Sequence, residues 1–183
     1  MKKFEEKTIH SNRLYEGKII NLKVDDVSLP NGHTSKRELI EHPGAVAIIA
    51  ITDENKIILV EQYRKALERS LVEIPAGKLE PGEAPEYTAM RELEEETGYT
   101  AEKLVKIQTF ATSPGFANEV VHLFAATGLS KAINGAVLDD DEFVELMEVT
   151  LEDAERMVEN ERIYDAKTAF AVLWAKQRIS IEN

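Results

Sequence analysis

Glu92, Glu95 and Glu96 stand close together behind Arg91 and ahead of Gly98. Richness in Ala, Met, Leu and Glu predicts a helix over 84–97, with Gly98 as its stop signal. At about 100° per residue, the three carboxylates then fall within an arc of roughly 100°. Glu92 and Glu96 stack one turn apart, while Met90 and Leu93 turn toward a core. Like charges at that spacing repel by roughly 0.2–0.5 kcal/mol per pair. The C-terminal end of a helix disfavours anions as well. A segment that accepts both penalties implies a compensating cation. A hard divalent ion such as Mg2+ suits oxygen donors and leaves positions for water and phosphate. Arg91 is placed to pair with Glu83 and orient the helix against the preceding loop. The bland reading, a solvated acidic face, is weakened by Gly77 and Gly98 on either side.

Strand and turn signals surround this helix. Residues 18–28 and 35–41 read as strands joined by a turn at Pro30-Asn31-Gly32. His42-Pro43-Gly44 breaks the pattern and marks the best domain boundary, giving an arm over 1–43 and a main domain over 44–183. A hairpin follows over 46–51 and 56–60, and a short strand over 71–74 ends in Pro75-Ala76-Gly77. Further strands are predicted over 104–111, 120–126 and 143–150. Thr150 with Asp153 has the form of a helix cap ahead of a short helix over 151–160. A last helix over 166–179 puts Ala169, Phe170, Leu173 and Trp174 on one face, read as core packing. Strands and helices mixed without regular βαβ alternation predict an α+β fold.

The whole composition narrows the partners. The 183 residues include 22 basic and 34 acidic side chains, a net charge of −12, with 43% hydrophobic residues. Such a chain folds as a globular domain rather than staying disordered. No cysteine is present, which excludes disulfides, thiol nucleophiles and zinc–thiolate sites. The acidic surface repels phosphodiester backbones, so no nucleic-acid partner is expected. No apolar run is long enough to span a bilayer, and the N-terminus lacks a signal core, so a cytoplasmic location without membrane contact is expected. His10, His33, His42 and His122 are scattered without metal-ligand spacing. Ser113 lacks a His/Asp partner pattern, so a serine-hydrolase reading fails.

The segment from Gly77 to Tyr99 resembles the Nudix signature, Gly-x5-Glu-x7-Arg-Glu-U-x-Glu-Glu-x-Gly-U, with U apolar. Gly77, Glu83, Arg91, Glu92, Leu93, Glu95, Glu96 and Gly98 match at the required spacing. Only Tyr99 departs, at a packing position. The resemblance implies a Nudix-type α/β/α sandwich with a mixed sheet, preceded by N-terminal antiparallel strands. It implies hydrolysis of a nucleoside diphosphate linked to another group, with Mg2+ as cofactor and Mn2+ as a substitute. Glu92 and Glu96 map onto metal ligands, Glu95 is a further catalytic candidate, and the Ala76 carbonyl matches a backbone ligand position.

Outside the signature, Pro114 lies fifteen residues beyond Tyr99, which resembles the ADP-ribose pyrophosphatase branch. That branch implies cleavage of ADP-ribose to AMP and ribose 5-phosphate. In Glu61-Gln62-Tyr63-Arg64, Arg64 offers forked donors to a phosphate. Arg37 and Glu38 resemble the strand that reaches the nucleoside, often from the partner subunit. Ser113, Gly115 and Glu119 resemble the loop that holds the terminal ribose and diphosphate. In the run Asp139-Asp140-Asp141-Glu142, the resemblance assigns Glu142 as base or metal ligand, with Asp140 as the alternative base. The arm is expected to be exchanged within a homodimer. Competing readings are a pyrophosphatase for nucleotide sugars, dinucleotides or 8-oxo nucleotides, and a non-catalytic ADP-ribose-binding module. The intact box carboxylates argue against the module.

Overall fold

The computed structural model describes residues 3–133, 135–136 and 143–182, with backbone alone for 179–182. The chain forms two compact units. One comprises Met1–Gly44 with Ala111–Val120, and the other Ala45–Phe110 with Val121–Asn183.

The first unit is built on an antiparallel sheet of β1 (Lys7–Glu16), β2 (Asn21–Ser28) and β3 (Thr34–Glu41), in that order. The β2–β3 turn at Pro30-Asn31-Gly32 forms as the sequence predicts, closed by the Gly32 N–H on the Leu29 carbonyl at 2.9 Å. β1 was not expected. Every residue of it is exposed, so no apolar alternation marks it as a strand. The segment 111–120 returns to this unit through a parallel bridge between Ile40 and Ala117. The Ile40 N–H donates to the Phe116 carbonyl at 2.8 Å, and the His42 N–H to Asn118 Oδ1 at 2.8 Å.

The second unit is a mixed seven-stranded sheet between helices. Its strands are β4 (Ala45–Ile51), β5 (Lys56–Arg64), β6 (Arg69–Glu73), β7 (Ala76–Lys78), β8 (Tyr99–Ala111), β9 (Val120–Lys131) and β10 (Val144–Thr150). The order is β10-β5-β4-β9-β8, with β6 paired to β5 and β7 to β4. β4 and β9 run parallel, Ala45 opposite Val121. Strand periodicity divides the apolar side chains between two faces. Ala47, Ile49, Ile57, Leu59, Leu123 and Ala125 point to one core, where α2 (Leu151–Glu159) and α3 (Ala166–Glu182) supply Ala154, Ala171, Val172 and Ala175. Val46, Ile48, Ala50, Ile58 and Phe124 point to the other, closed by Ala89 and Leu93 of α1 (Pro85–Thr97). The result is the expected α/β/α sandwich. Among the described residues no helix is long and apolar enough to cross a membrane.

Of the expected core face of α3, Ala169 and Trp174 pack against the core, but the other two positions need correction. Phe170 and Leu173 are largely exposed, at 41% and 56%, while Thr168, Ala171, Val172 and Ala175 are buried. Small side chains let the helix backbone approach the sheet, so the larger ones are displaced to its flanks; Phe170 stacks at a tilt on Phe110 of β8. β8 also begins earlier than predicted, at Tyr99, directly after the helix stop. Leu93→Ala is therefore expected to cost about 3 kcal/mol of stability, whereas Leu173→Ala should cost only about 0.5 kcal/mol. Denaturant unfolding of the two variants checks the contrast.

Candidate functional site

Helix α1 is held at both ends by local chemistry. Pro85 occupies the first turn, where its missing N–H costs nothing. Gly98 takes a left-handed φ of 67° and its N–H closes on the Glu94 carbonyl at 2.8 Å. Ala89 and Leu93 anchor the apolar side, which turns the acidic side toward β7 and the loop before the helix.

Gly77 of β7 lies directly against the Glu92 carboxylate. A Cβ at this position would overlap the Glu92 side chain. One turn on, Glu96 is buried, and its Oε2 accepts the Ala76 N–H at 3.0 Å. Both carboxylates are thus fixed against the same short strand. Arg91 offsets the crowding: its Nη1 lies 3.0 Å from Glu92 Oε1 and 2.6 Å from Glu95 Oε2, and its Nη2 3.4 Å from Glu83 Oε2. Although burial works against its charge, Glu92, Glu95 and Glu83 hold this guanidinium above its ordinary pKa. Thr88 donates to Glu83 at 2.9 Å, completing the expected tie between helix and loop.

A second charged cluster adjoins the first. Arg64, at the end of β5, grips Glu73 with two bonds, Nε to Oε1 at 2.7 Å and Nη2 to Oε2 at 2.8 Å. Glu73 is almost fully buried, at 1% exposure. Lys167 of α3 donates to Glu73 Oε2 and, at 2.9 Å, to Asp165 Oδ1. Burial pushes the Glu73 carboxyl up, but Arg64 and Lys167 outweigh it and hold it below the ordinary carboxylate value. For Arg64, the bond to Glu73 comes first, burial opposes it, and the nearby charge of Glu96 adds to a raised pKa. Glu73, Asp165 and Lys167 escaped sequence reasoning. The available signal was an acid inside the apolar strand Leu71-Val72-Glu73-Ile74, a position that demands a partner.

The predicted residues divide between the two units. Ala76, Arg64, Glu92, Glu95 and Glu96 belong to the second, and Arg37, Glu38, Ser113, Gly115 and Glu119 to the first. Arg37 is engaged by Glu6, Nε at 2.8 Å and Nη2 at 2.6 Å. Glu38 is an exposed member of β3. The Ser113 carbonyl accepts the Phe116 and Ala117 N–H groups, and Gly115 is exposed with open space beside it. Glu119 accepts from Thr112 and lies 3.6 Å from His42 Nδ1. Glu95, half-exposed, is turned to Arg91. Asp140 and Glu142 lie outside the described residues.

Among the described residues no group of three or more His, Asp or Glu side chains is arranged to hold a metal ion. Glu92 and Glu96 beside β7 nevertheless fit a hard divalent ion. Mg2+ is usually held by one or two carboxylates, with water and substrate phosphates completing its shell. The glycine that admits Glu92 is what such a cradle requires.

The fold and the paired helix carboxylates define a hydrolase class, and comparison with known proteins identifies it. The NUDIX domain matches residues 41–170, and the nucleoside diphosphate sugar hydrolase N-terminal domain matches 6–40. The chain belongs to the Nudix family and is a Nudix hydrolase. It is 61% identical to an ADP-ribose pyrophosphatase of Bacillus subtilis (strain 168) over 100% of this chain and 98% of that protein. It is 58% identical, with the same coverage, to a methanol dehydrogenase activator of Bacillus methanolicus. A solved ADP compounds hydrolase shares the fold, with a TM-score of 0.84 at 19% identity, covering 98% of this chain and 96% of that one.

Two outcomes test this geometry. Gly77→Ala should displace Glu92 and lower turnover of a nucleoside diphosphate substrate by about a hundredfold, measured by phosphate-product release. Glu73→Gln should destabilise the fold at neutral pH. Because Arg64 and Lys167 hold the folded carboxyl below its ordinary pKa, wild type loses this advantage as pH falls through the depressed value. The stability gap between the two proteins should therefore narrow under acid, as followed by thermal melts across pH.

Proposed function

We propose that this chain is a cytoplasmic ADP-ribose pyrophosphatase that splits ADP-ribose into AMP and ribose 5-phosphate, with Mg2+ as cofactor and Mn2+ as a substitute. One observation carries the reading: Glu92 and Glu96 are both fixed against β7, Glu92 over Gly77 and Glu96 on the Ala76 N–H. The relative at 61% identity, itself an ADP-ribose pyrophosphatase, supports the substrate.

In this reading Glu92, Glu96 and the Ala76 carbonyl hold the divalent ion. When bound, the ion neutralises diphosphate charge and makes water a stronger nucleophile at neutral pH. Arg64 binds a phosphate oxygen, and Arg91 keeps the glutamates of the helix in register. Glu142, or Asp140, orients the attacking water and accepts its proton. Arg37 and Glu38 bind the nucleoside; Ser113, Gly115 and Glu119 bind the terminal ribose and diphosphate. Positioning and charge neutralisation supply most of the rate in such a substitution.

Residues 1–43 act as an arm exchanged within a homodimer ahead of a catalytic domain over 44–183. The exposure of Ile9, Leu14 and Tyr15 along β1 supports this, because apolar side chains gathered on one strand favour burial against a partner. The match of residues 6–40 to nucleoside diphosphate sugar hydrolases favours a second reading, a nucleotide-sugar substrate. Initial rates on ADP-ribose, NADH, GDP-mannose and 8-oxo-dGTP, with Mg2+ and after chelation, decide between them. ADP-ribose is expected to give the highest kcat/KM, and chelation to abolish turnover. Preference for GDP-mannose would transfer the assignment to nucleotide sugars, and activity untouched by chelation would remove the metal.

A further inference from the structure

The first turn of α3 is joined to the end of β6 by two interactions. Thr168, fully buried, accepts the Ile74 N–H on its hydroxyl at 3.0 Å. Lys167 donates to Glu73. Asp165 caps the helix, its Oδ1 accepting the Thr168 N–H at 3.1 Å, and also receives Lys167. Lys167 thus serves two carboxylates at once, Glu73 and Asp165, while Asp165 Oδ2 is buried with no hydrogen-bond partner among the described residues.

Arg64 stands on the other side of Glu73. Two of its three nitrogens, Nε and Nη2, are committed to Glu73, and Nη1 is the one that Glu73 does not engage. Its side chain is 41% exposed and within electrostatic reach of Glu96. A buried carboxylate with Arg64 as its sole counter-ion would consume most of that guanidinium's charge. With Lys167 sharing Glu73, Arg64 keeps positive potential for an anion at Nη1.

We propose that Lys167 is a positioning residue: through Glu73 it fixes the Arg64 guanidinium and leaves Nη1 charged toward the substrate diphosphate. The inference rests on the reading of Arg64 as a phosphate-binding residue. The diphosphate carries its charge in the ground state as well as the transition state. An interaction made equally in both is read in KM rather than kcat.

The test is steady-state kinetics on ADP-ribose with Mg2+ for Lys167→Met, Lys167→Arg, Arg64→Ala and the double variant Arg64→Ala/Lys167→Met, with melting temperatures alongside. Lys167→Met is expected to raise KM about tenfold with kcat within about twofold of wild type. Lys167→Arg should return KM to near wild type. The double variant should be no worse than Arg64→Ala, because Lys167 acts only through that guanidinium. An unchanged KM in Lys167→Met, a fall in kcat alone, or a KM effect that multiplies in the Arg64→Ala background overturns the inference. If Lys167→Met does not fold, Lys167→Gln keeps a donor without the charge, and a wild-type KM there overturns it equally. A wild type that ignores ADP-ribose defeats the proposed function. A wild type that turns it over while Arg64→Ala keeps a normal KM defeats the role of Arg64, and with it that of Lys167.

Discussion

One guanidinium reconciles three carboxylates on a single stretch of chain. Arg91 lies within bonding distance of Glu92, Glu95 and Glu83, and it works from a partly buried position where water screens less. Without it, adjacent anions at the C-terminal end of a helix would repel one another and the helix dipole alike. With it, α1 can keep a row of acids and still pack Ala89 and Leu93 into the core. Everything the site does chemically depends on that tolerance. The close approach of Glu92 to Gly77 completes the constraint from the other side.

The same logic recurs deeper in the fold, with the signs arranged differently. Glu73 is an anion almost wholly removed from water, a state that costs several kcal/mol unless partners satisfy it. Arg64 and Lys167 approach it from β5 and α3, so the ion cluster joins a strand end to a helix start. Replacing such a cluster by apolar residues is often neutral for stability. Its retention beside the acidic helix is better understood as a device for aiming charge than as a source of folding energy.

Legibility in the sequence followed the physics of each element. The sandwich could be read because β4, β5 and β9 each carry an apolar run buried on both faces, while the helix with Gly98 behind it announces its own end. The Glu83–Arg91 tie and the turn at Gly32 were readable from local spacing. β1 was not, since a strand exposed on both faces carries no period-2 signal. Nor was the core face of α3, where Ala171 and Ala175 pack and Leu173 does not; hydrophobicity alone ranks them the other way. Lys167 was invisible for a third reason. Its partner Glu73 lies ninety-four residues away in sequence, and no local pattern encodes a contact of that separation.

The return of Ala111–Val120 to the N-terminal sheet has a consequence for recombination between relatives. A chimaera joined at Gly44 alone would pair a foreign β3 with a resident segment, disturbing the Ile40–Ala117 bridge and the His42–Asn118 bond. The exchangeable module is discontinuous, two stretches of chain that must travel together.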